Sequence, residues 1–131
     1  MADTFKVEII SPEEIIFSED SKMVTFPSYE GDMSVLENHI SLITFLRPGI
    51  ITVQCKDESY KEFFVEDGTI EFSNNNLIIL SSSATNLKKL TKEFLDALNK
   101  DTELKLENKD ITDHERYILN YKLNTIKEIR V

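Results

Sequence analysis

His39, His114, Cys55 and adjacent carboxylates such as Glu13-Glu14, Glu19-Asp20 and Asp57-Glu58 are the side chains through which this sequence could do chemistry. One cysteine and two histidines far apart in sequence do not furnish the four ligands of a structural zinc site. The three glycines, 31, 49 and 68, are isolated and make no phosphate-cradling loop. No serine stands in a Gly-x-Ser-x-Gly elbow. Each histidine has a plainer role: His114 falls in the first turn of an expected helix, facing solvent. The carboxylate pairs read as solubilising loop charge rather than general acid–base pairs. Cys55 reads as a small buried hydrophobe on a strand. A single cysteine forms no internal disulfide, which suits a reducing compartment. The expectation is no catalytic residue, no metal and no cofactor.

Composition narrows the partners. Net charge is −9 and the pI about 4.7. Phosphate binding needs a basic face, so nucleic acid is disfavoured, as is direct adhesion to anionic lipid. With 40% hydrophobic and 30% charged residues, the 131-residue chain carries a modest core. No apolar run nears the roughly 18 residues of a membrane span. The opening residues show neither a secretory signal nor an Arg-rich transit peptide.

The elements that must position these residues divide the chain in two. All glycines and all prolines (12, 27, 48) lie in the first 68 residues, as do most of the aromatics. The remainder is rich in Leu, Lys, Glu and Asn, a change from turn-punctuated strands to helix. Residues 1–85 hold 5 Lys/Arg against 15 Asp/Glu, whereas residues 86–131 hold 10 against 9. The two parts present different electrostatic faces and need not serve one partner.

Strand signals recur at short intervals: Phe5–Ile9, Ile15–Phe17, Met23–Phe26 ended by Pro27, and Leu42–Leu46 ended by Arg47-Pro48-Gly49. Ile50–Cys55 and Tyr60–Glu66 flank a hairpin loop at Lys56–Ser59. Ile70–Phe72 and Leu77–Ser81 flank a turn at Ser73–Asn76. This spacing predicts an N-terminal all-β sandwich of about ten short strands over residues 1–85. Residues 86–131 predict a C-terminal antiparallel α-helical hairpin. Its first helix is capped by Asn86 and carries Leu87, Leu90, Phe94 and Leu98 on one face, beside Leu95 and Ala97. Residues 101–110 read as a polar connection. Thr112 and Glu115 then read as a capping box. The second helix carries a Leu119, Leu123 and Ile126 stripe flanked by Ile118 and Ile129. Tyr117 and Tyr121 fall opposite it, either as two surface tyrosines or as a second contact face. A lone two-helix unit gains about as much from burial as it loses in ordering, so the hairpin needs the sandwich or another protein.

The unusual stretch runs from Tyr29 to Ile43, with turn chemistry at Gly31-Asp32 and again at Glu37-Asn38-His39. It resembles the epsilon chain of F-type ATP synthase, whose members typically read Glu-Gly-Glu-Leu-Gly-hydrophobic-Leu-Pro-Gly-His-Ala-Pro-Leu-Leu-Thr here, then Pro-Gly. This sequence keeps Glu30, Gly31, an acid at Asp32, Val35-Leu36, His39, Leu42, Ile43, Thr44 and Pro48-Gly49. Phe64 to Phe72 is similar to the family's Gly-x-hydrophobic-Glu-Val strand entry. Val7–Ser11, Phe17-Ser18, Leu77–Ser81 and Ala84 extend the likeness along nearly the whole chain. Ser34 replaces a usual Gly, Glu37-Asn38 a usual Pro-Gly, and Ser41 a common Pro. Asn38 tolerates the left-handed backbone a Gly would adopt there.

The resemblance implies a non-catalytic subunit of the central rotor stalk, coupling proton flow through the c-ring to ATP synthesis. It implies the gamma chain and c-ring as partners, with Glu30, Gly31 and Asp32 facing the c-ring loops and His39, Ser41, Leu42 and Ile43 at the stalk interface. It also implies a hairpin that either folds on the sandwich or extends to inhibit ATP hydrolysis. In the extended form Lys88, Lys89, Lys92, Lys122, Lys127 and Arg130 would meet the alpha/beta catalytic hexamer. Some relatives bind ATP through a Leu-Asp-x-x-Arg-Ala motif on the first helix. Neither frame available here, Leu87–Lys92 or Leu90–Leu95, has its acid and arginine, so weak or no ATP binding is expected. Membrane association comes only through the complex, on the cytoplasmic face of a bacterial plasma membrane or in an organelle encoding its own copy. Two other readings are an adaptor subunit of another assembly, with the sandwich as binding face, and a small hydrolase or isomerase on a β-scaffold.

Overall fold

Alternation drives the first part of the chain into strands, because successive side chains of a strand face opposite sides. In β1 (Phe5–Ile10), Phe5, Val7 and Ile9 are buried and Lys6 is exposed. The computed structural model describes residues 4–129, so Arg130 lies outside the described residues. After β1 come β2 (Ile15–Ser28), β3 (Gly31–Leu36), β4 (Leu42–Leu46), β5 (Gly49–Cys55), β6 (Tyr60–Val65), β7 (Gly68–Ser73), β8 (Asn76–Leu80) and β9 (Thr85–Asn86). A single 3-10 turn, Leu87–Lys89, leads to α1 (Lys92–Glu107) and α2 (Asp113–Glu128).

The nine strands run in the order β1-β8-β7-β4-β2-β5-β6-β9, with β3 also on β2 and β1 also on β2. Among the described residues only β1 and β8 pair parallel; every other pairing is antiparallel. Strand β2 folds the sheet over on itself. Its first half pairs β1 and its second half pairs β3 and β5, with a register shift between Ser21 and Met23. An extra residue in a strand bends it and sharpens its twist. Phe17, Val24, Phe26, Val35, Ile51, Phe63, Ile70, Phe72 and Ile79 meet inside as one core.

The expectation of separate strands at Ile15–Phe17 and Met23–Phe26 is therefore corrected: both belong to β2, and the described residues hold nine strands. Pro27 does not end the strand. It holds register with Asp32, and its carbonyl accepts the Arg47 amide at 3.0 Å, so the missing N–H falls near the strand's end. The turns follow from residue type. Asn74 and Asn75 adopt φ of 50° and 58° between the paired Ser73 and Asn76. Asn38 adopts φ 65°, the left-handed backbone its side chain tolerates. Gly31 lies not in a turn but at the first pair of β3, opposite Ser28; Tyr29 and Glu30 make the turn.

Both helices form; the second starts at its expected cap, and the first has different bounds from those expected. Asn86 caps only the 3-10 turn, accepting from the Lys88 amide at 2.9 Å, while Thr91 caps α1. Residues 101–107, read as connection, are helical. Asp101 and Lys105 pair at 3.1 Å one turn apart, and Thr102 is fully buried with its hydroxyl on the Leu98 carbonyl. The inward stripe of α1 is thus Leu95, Leu98 and Thr102, and Phe94 stands 50% exposed. The Thr112–Glu115 capping box is present.

The hairpin lies on the outer face of β5 and β6. Phe64 points away from the main core and is covered by Leu90, Leu95 and Ile126, with Ile50, Leu87, Leu98 and Ile129 around them. Polar contacts frame this patch. Lys122 meets Glu66 at 2.5 Å, the Thr125 hydroxyl donates to the Pro48 carbonyl at 3.5 Å, the Tyr117 hydroxyl accepts from Arg47, and the Tyr121 ring lies under the Arg47 guanidinium. Of the two readings of the tyrosines, the structure favours the contact face, and its partner is the chain's own sandwich.

Candidate functional site

Three surfaces of the sandwich expose groups that a core has no use for. The first is the turn between β2 and β3. The Ser28 hydroxyl donates to the Gly31 carbonyl at 2.7 Å and accepts the Glu30 amide at 3.2 Å, which ties the turn down from inside. Gly31 takes φ +121°, a backbone closed to most side chains, although a Cβ there would meet nothing within 4 Å. Glu30 and Asp32 are exposed, Asp32 by 75% of its side chain. Its only cationic neighbour among the described residues is Arg47, 3.6 Å away. The turn is a small rigid platform carrying two carboxylates.

The second is the loop between β3 and β4. The amide of Asn38 donates to Asn75 Oδ1 at 2.7 Å, and Asn75 Nδ2 donates back to Asn38 Oδ1 at 3.0 Å. The loop is thereby pinned to the β7–β8 turn. The His39 amide bonds the Leu36 carbonyl at 3.1 Å, and its Nδ1–H donates to the Ile40 carbonyl at 2.7 Å. The imidazole edge rests on Phe72, with ring centroids 5.8 Å apart at 84°. Every observed contact of His39 braces the loop; none aims a nitrogen at a nucleophile.

The third is an apolar band. Strand β4 is apolar on both faces: Leu42 and Leu46 turn inward, while Ile43 and Phe45 are 75% and 57% exposed. Phe45 lies opposite Thr69, which lies opposite Leu80, itself 50% exposed. With Tyr29 and Ile10, Phe45 and Leu80 line an open groove of about 660 Å³.

The structure brings Glu30, Gly31 and Asp32 together and separates them from His39 by the length of β3, roughly 15 Å or more at about 3.4 Å per residue. Of Ser41, Leu42 and Ile43, only Ser41 and Ile43 face out; Leu42 packs against the core. Lys88, Lys89, Lys92 and Lys127 are exposed, whereas Lys122 is held against Glu66 with 8% of its side chain exposed. Sequence reasoning did not single out Phe45, Leu80 or Arg47. The signal for the first was present, since Leu42-Ile43-Thr44-Phe45-Leu46 is too apolar for a strand with one wet face. Among the described residues no group of three His, Cys, Asp or Glu is placed to hold a metal, and no helix is long and apolar enough to cross a membrane.

Comparison with known proteins gives these surfaces a family. Residues 4–87 match the family described as ATP synthase, Delta/Epsilon chain, beta-sandwich domain. The ATP synthase epsilon chain of Pelagibacter ubique is 41% identical over 130 residues, covering 98% of this chain and 99% of that one. The epsilon chain of Parvibaculum lavamentivorans is 33% identical over 134 residues, covering 99% and 98%. Among solved structures, a chain of the Euglena gracilis mitochondrial ATP synthase shares the fold with a TM-score of 0.76 at 19% identity, over 97% of this chain and 79% of that one. The match to the family, sustained over the whole sandwich and by relatives of equal length, means that this chain belongs to the ATP synthase epsilon chain family.

Proposed function

We propose that this chain is a non-catalytic central-stalk subunit of a proton-translocating F-type ATP synthase, coupling proton flow through the c-ring to ATP synthesis. The observation that carries the reading is the apolar band of Ile43, Phe45 and Leu80 on an otherwise acidic sandwich. Contiguous exposed apolar groups mark a protein contact, and the gamma chain is the partner proposed for it, with Ser41 and the His39 loop at its margin. The Glu30-Gly31-Asp32 turn then meets basic groups on the polar loops of the c-ring. A sheet hydrogen-bonded through nine strands around one core is stiff enough to carry torque between them.

The division of labour falls near residue 86, with residues 1–85 as the rotor-binding part and residues 86–131 as a regulatory hairpin. Pairing of β9 with β6 ties Thr85 and Asn86 to the sandwich. Released from the sandwich, the hairpin would offer Lys88, Lys89, Lys92, Lys127 and the freed Lys122 to acidic loops of the alpha/beta hexamer and so inhibit hydrolysis. Arg130 belongs to the same proposed set. The chain reaches the membrane only through the complex, at the cytoplasmic face of a bacterial plasma membrane.

A pull-down with the gamma chain tests the assignment. Phe45→Glu and Leu80→Glu are each expected to weaken capture at least about tenfold, since each places a charge in a desolvated contact, with circular dichroism unchanged. Undiminished capture by both folded variants would remove the band from the interface.

A further inference from the structure

Arg47 is claimed by two surfaces at once. Its Nη2 lies 3.6 Å from Asp32 Oδ1, its Nη1 donates to the Tyr117 hydroxyl at 3.3 Å, and its guanidinium carbon sits 4.0 Å from the centroid of the Tyr121 ring. Its side chain is only 13% exposed, yet its buried Nε–H finds no acceptor among the described residues. Buried donors are normally paired, so the Nε–H has capacity for a further acceptor. The Asp32 contact is likewise too long for a hydrogen bond. A guanidinium free to turn takes a carboxylate through two short parallel bonds.

The backbone keeps both choices within reach. Asp32 is in register with Pro27, and the Pro27 carbonyl holds the Arg47 amide at 3.0 Å, so the acid and the arginine stay neighbours whatever the hairpin does. A pocket of about 280 Å³ bounded by Asp32, Arg47, Tyr121, Asn124 and Glu128 leaves the guanidinium room to swing. The two tyrosines both belong to α2: take that helix away, and Arg47 loses the ring and the hydroxyl together.

We propose that Arg47 is a shared latch. Docking of the hairpin holds its guanidinium on Tyr117 and Tyr121, 3.6 Å from Asp32 and short of a hydrogen bond, so that the 75% exposed Asp32 carboxylate still has room for a cationic partner; release of the hairpin lets Arg47 close onto Asp32 through short bonds and neutralise it more fully. By linkage, a cation held at Asp32 favours the docked hairpin to the same degree. That the cation is a basic group of the c-ring rests on the stalk assignment above; the exchange of Arg47 between its two sites does not.

Hydrogen exchange of the α2 amides in the isolated full-length chain reads the docking equilibrium. Asp32→Asn removes the competitor that holds Arg47 in the released state, so protection is expected to rise about two- to fivefold, the reach of one exposed ion pair. Arg47→Ala is expected to lower it about tenfold through the lost ring contact. With Arg47→Ala in place, adding Asp32→Asn should change nothing. Arg47→Lys, which keeps the charge without the planar fork, should behave like Arg47→Ala and serves if that variant does not fold. An unchanged or lowered protection in Asp32→Asn, or an equal rise with and without Arg47, overturns the latch. No rotor component enters the measurement, so its failure leaves the stalk assignment standing, and a failed gamma pull-down leaves the latch standing.

Discussion

The ammonium of Lys122 in α2 lies 2.5 Å from the carboxylate of Glu66, just past the end of β6, with 8% of the lysine side chain and 36% of the glutamate exposed. The contact joins hairpin to sandwich beside the buried Phe64. Removing one partner of a half-buried pair strands the other. Lys122→Ala is therefore expected to cost about 1–2 kcal/mol, less than a fully buried pair because water still screens Glu66. Urea denaturation of Lys122→Ala, Glu66→Ala and the double variant checks this, and the double variant should cost less than the sum of the singles.

Gly68 opens β7 at φ +150°, and a Cβ there would stand 2.5 Å from the Leu80 carbonyl oxygen and 3.0 Å from Leu46 Cδ1. Neither the backbone oxygen nor the core leucine has room to yield. Gly68→Ala combines strain with overpacking, for an expected loss of about 3 kcal/mol. Thermal unfolding should show a midpoint lower by roughly 10 °C. Gly31→Ala, with open space around its Cβ, should cost clearly less.

Asp57 in the β5–β6 turn accepts from the Ser59 hydroxyl at 2.5 Å and the Ser59 amide at 3.0 Å, and these bonds hold its carboxyl below the ordinary 3.8, the hydroxyl contributing most. A carboxyl with a lowered folded-state pKa stabilises the fold above its unfolded value and loses that contribution as pH falls through the lower, folded one. The turn is fully exposed, so the consequence is local. Ser59→Ala should raise the Asp57 pKa toward 3.8, as followed by NMR titration of its side-chain carbon. An unmoved titration would mean that the hydroxyl is not its stabiliser.

ATP at millimolar concentration is expected to leave the melting temperature of the chain unchanged. The two frames on which a nucleotide motif could sit lack its acid and arginine. The window is also broken, since Leu87–Lys89 is a 3-10 turn and α1 begins only at Lys92. A ligand present at a hundredfold its Kd would add about 2.7 kcal/mol, a shift that differential scanning fluorimetry resolves.

Much of the fold was legible because period and punctuation agreed. Phe5, Val7 and Ile9 alternate as a strand must, Asn38 and Asn75 sit where left-handed backbone is required, and Thr112 with Glu115 caps α2. Elsewhere the signals competed. Pro27 suggested a strand end at Phe26, but tertiary pairing of its carbonyl goes with a β2 that runs on to Ser28. Residues 101–107 looked like connection because their charges hide the last turns of α1, whose one buried residue is Thr102, a polar group no hydrophobic pattern marks. For the site, spacing along the chain misled: Asp32 and His39 are neighbours in sequence yet serve opposite ends of β3. The pairing of Arg47 with Tyr117 and Tyr121 spans about seventy residues, and no local pattern announces it.

Proton-driven ATP synthesis in membrane vesicles depleted of their epsilon chain, with the purified polypeptide added back, tests the coupling role most directly. Restored synthesis with the native chain, and a loss of at least about tenfold when Phe45 is replaced by Glu, is the predicted outcome. Vesicles that stay uncoupled with the native chain bound, or that recover equally with the Phe45→Glu variant, would contradict it.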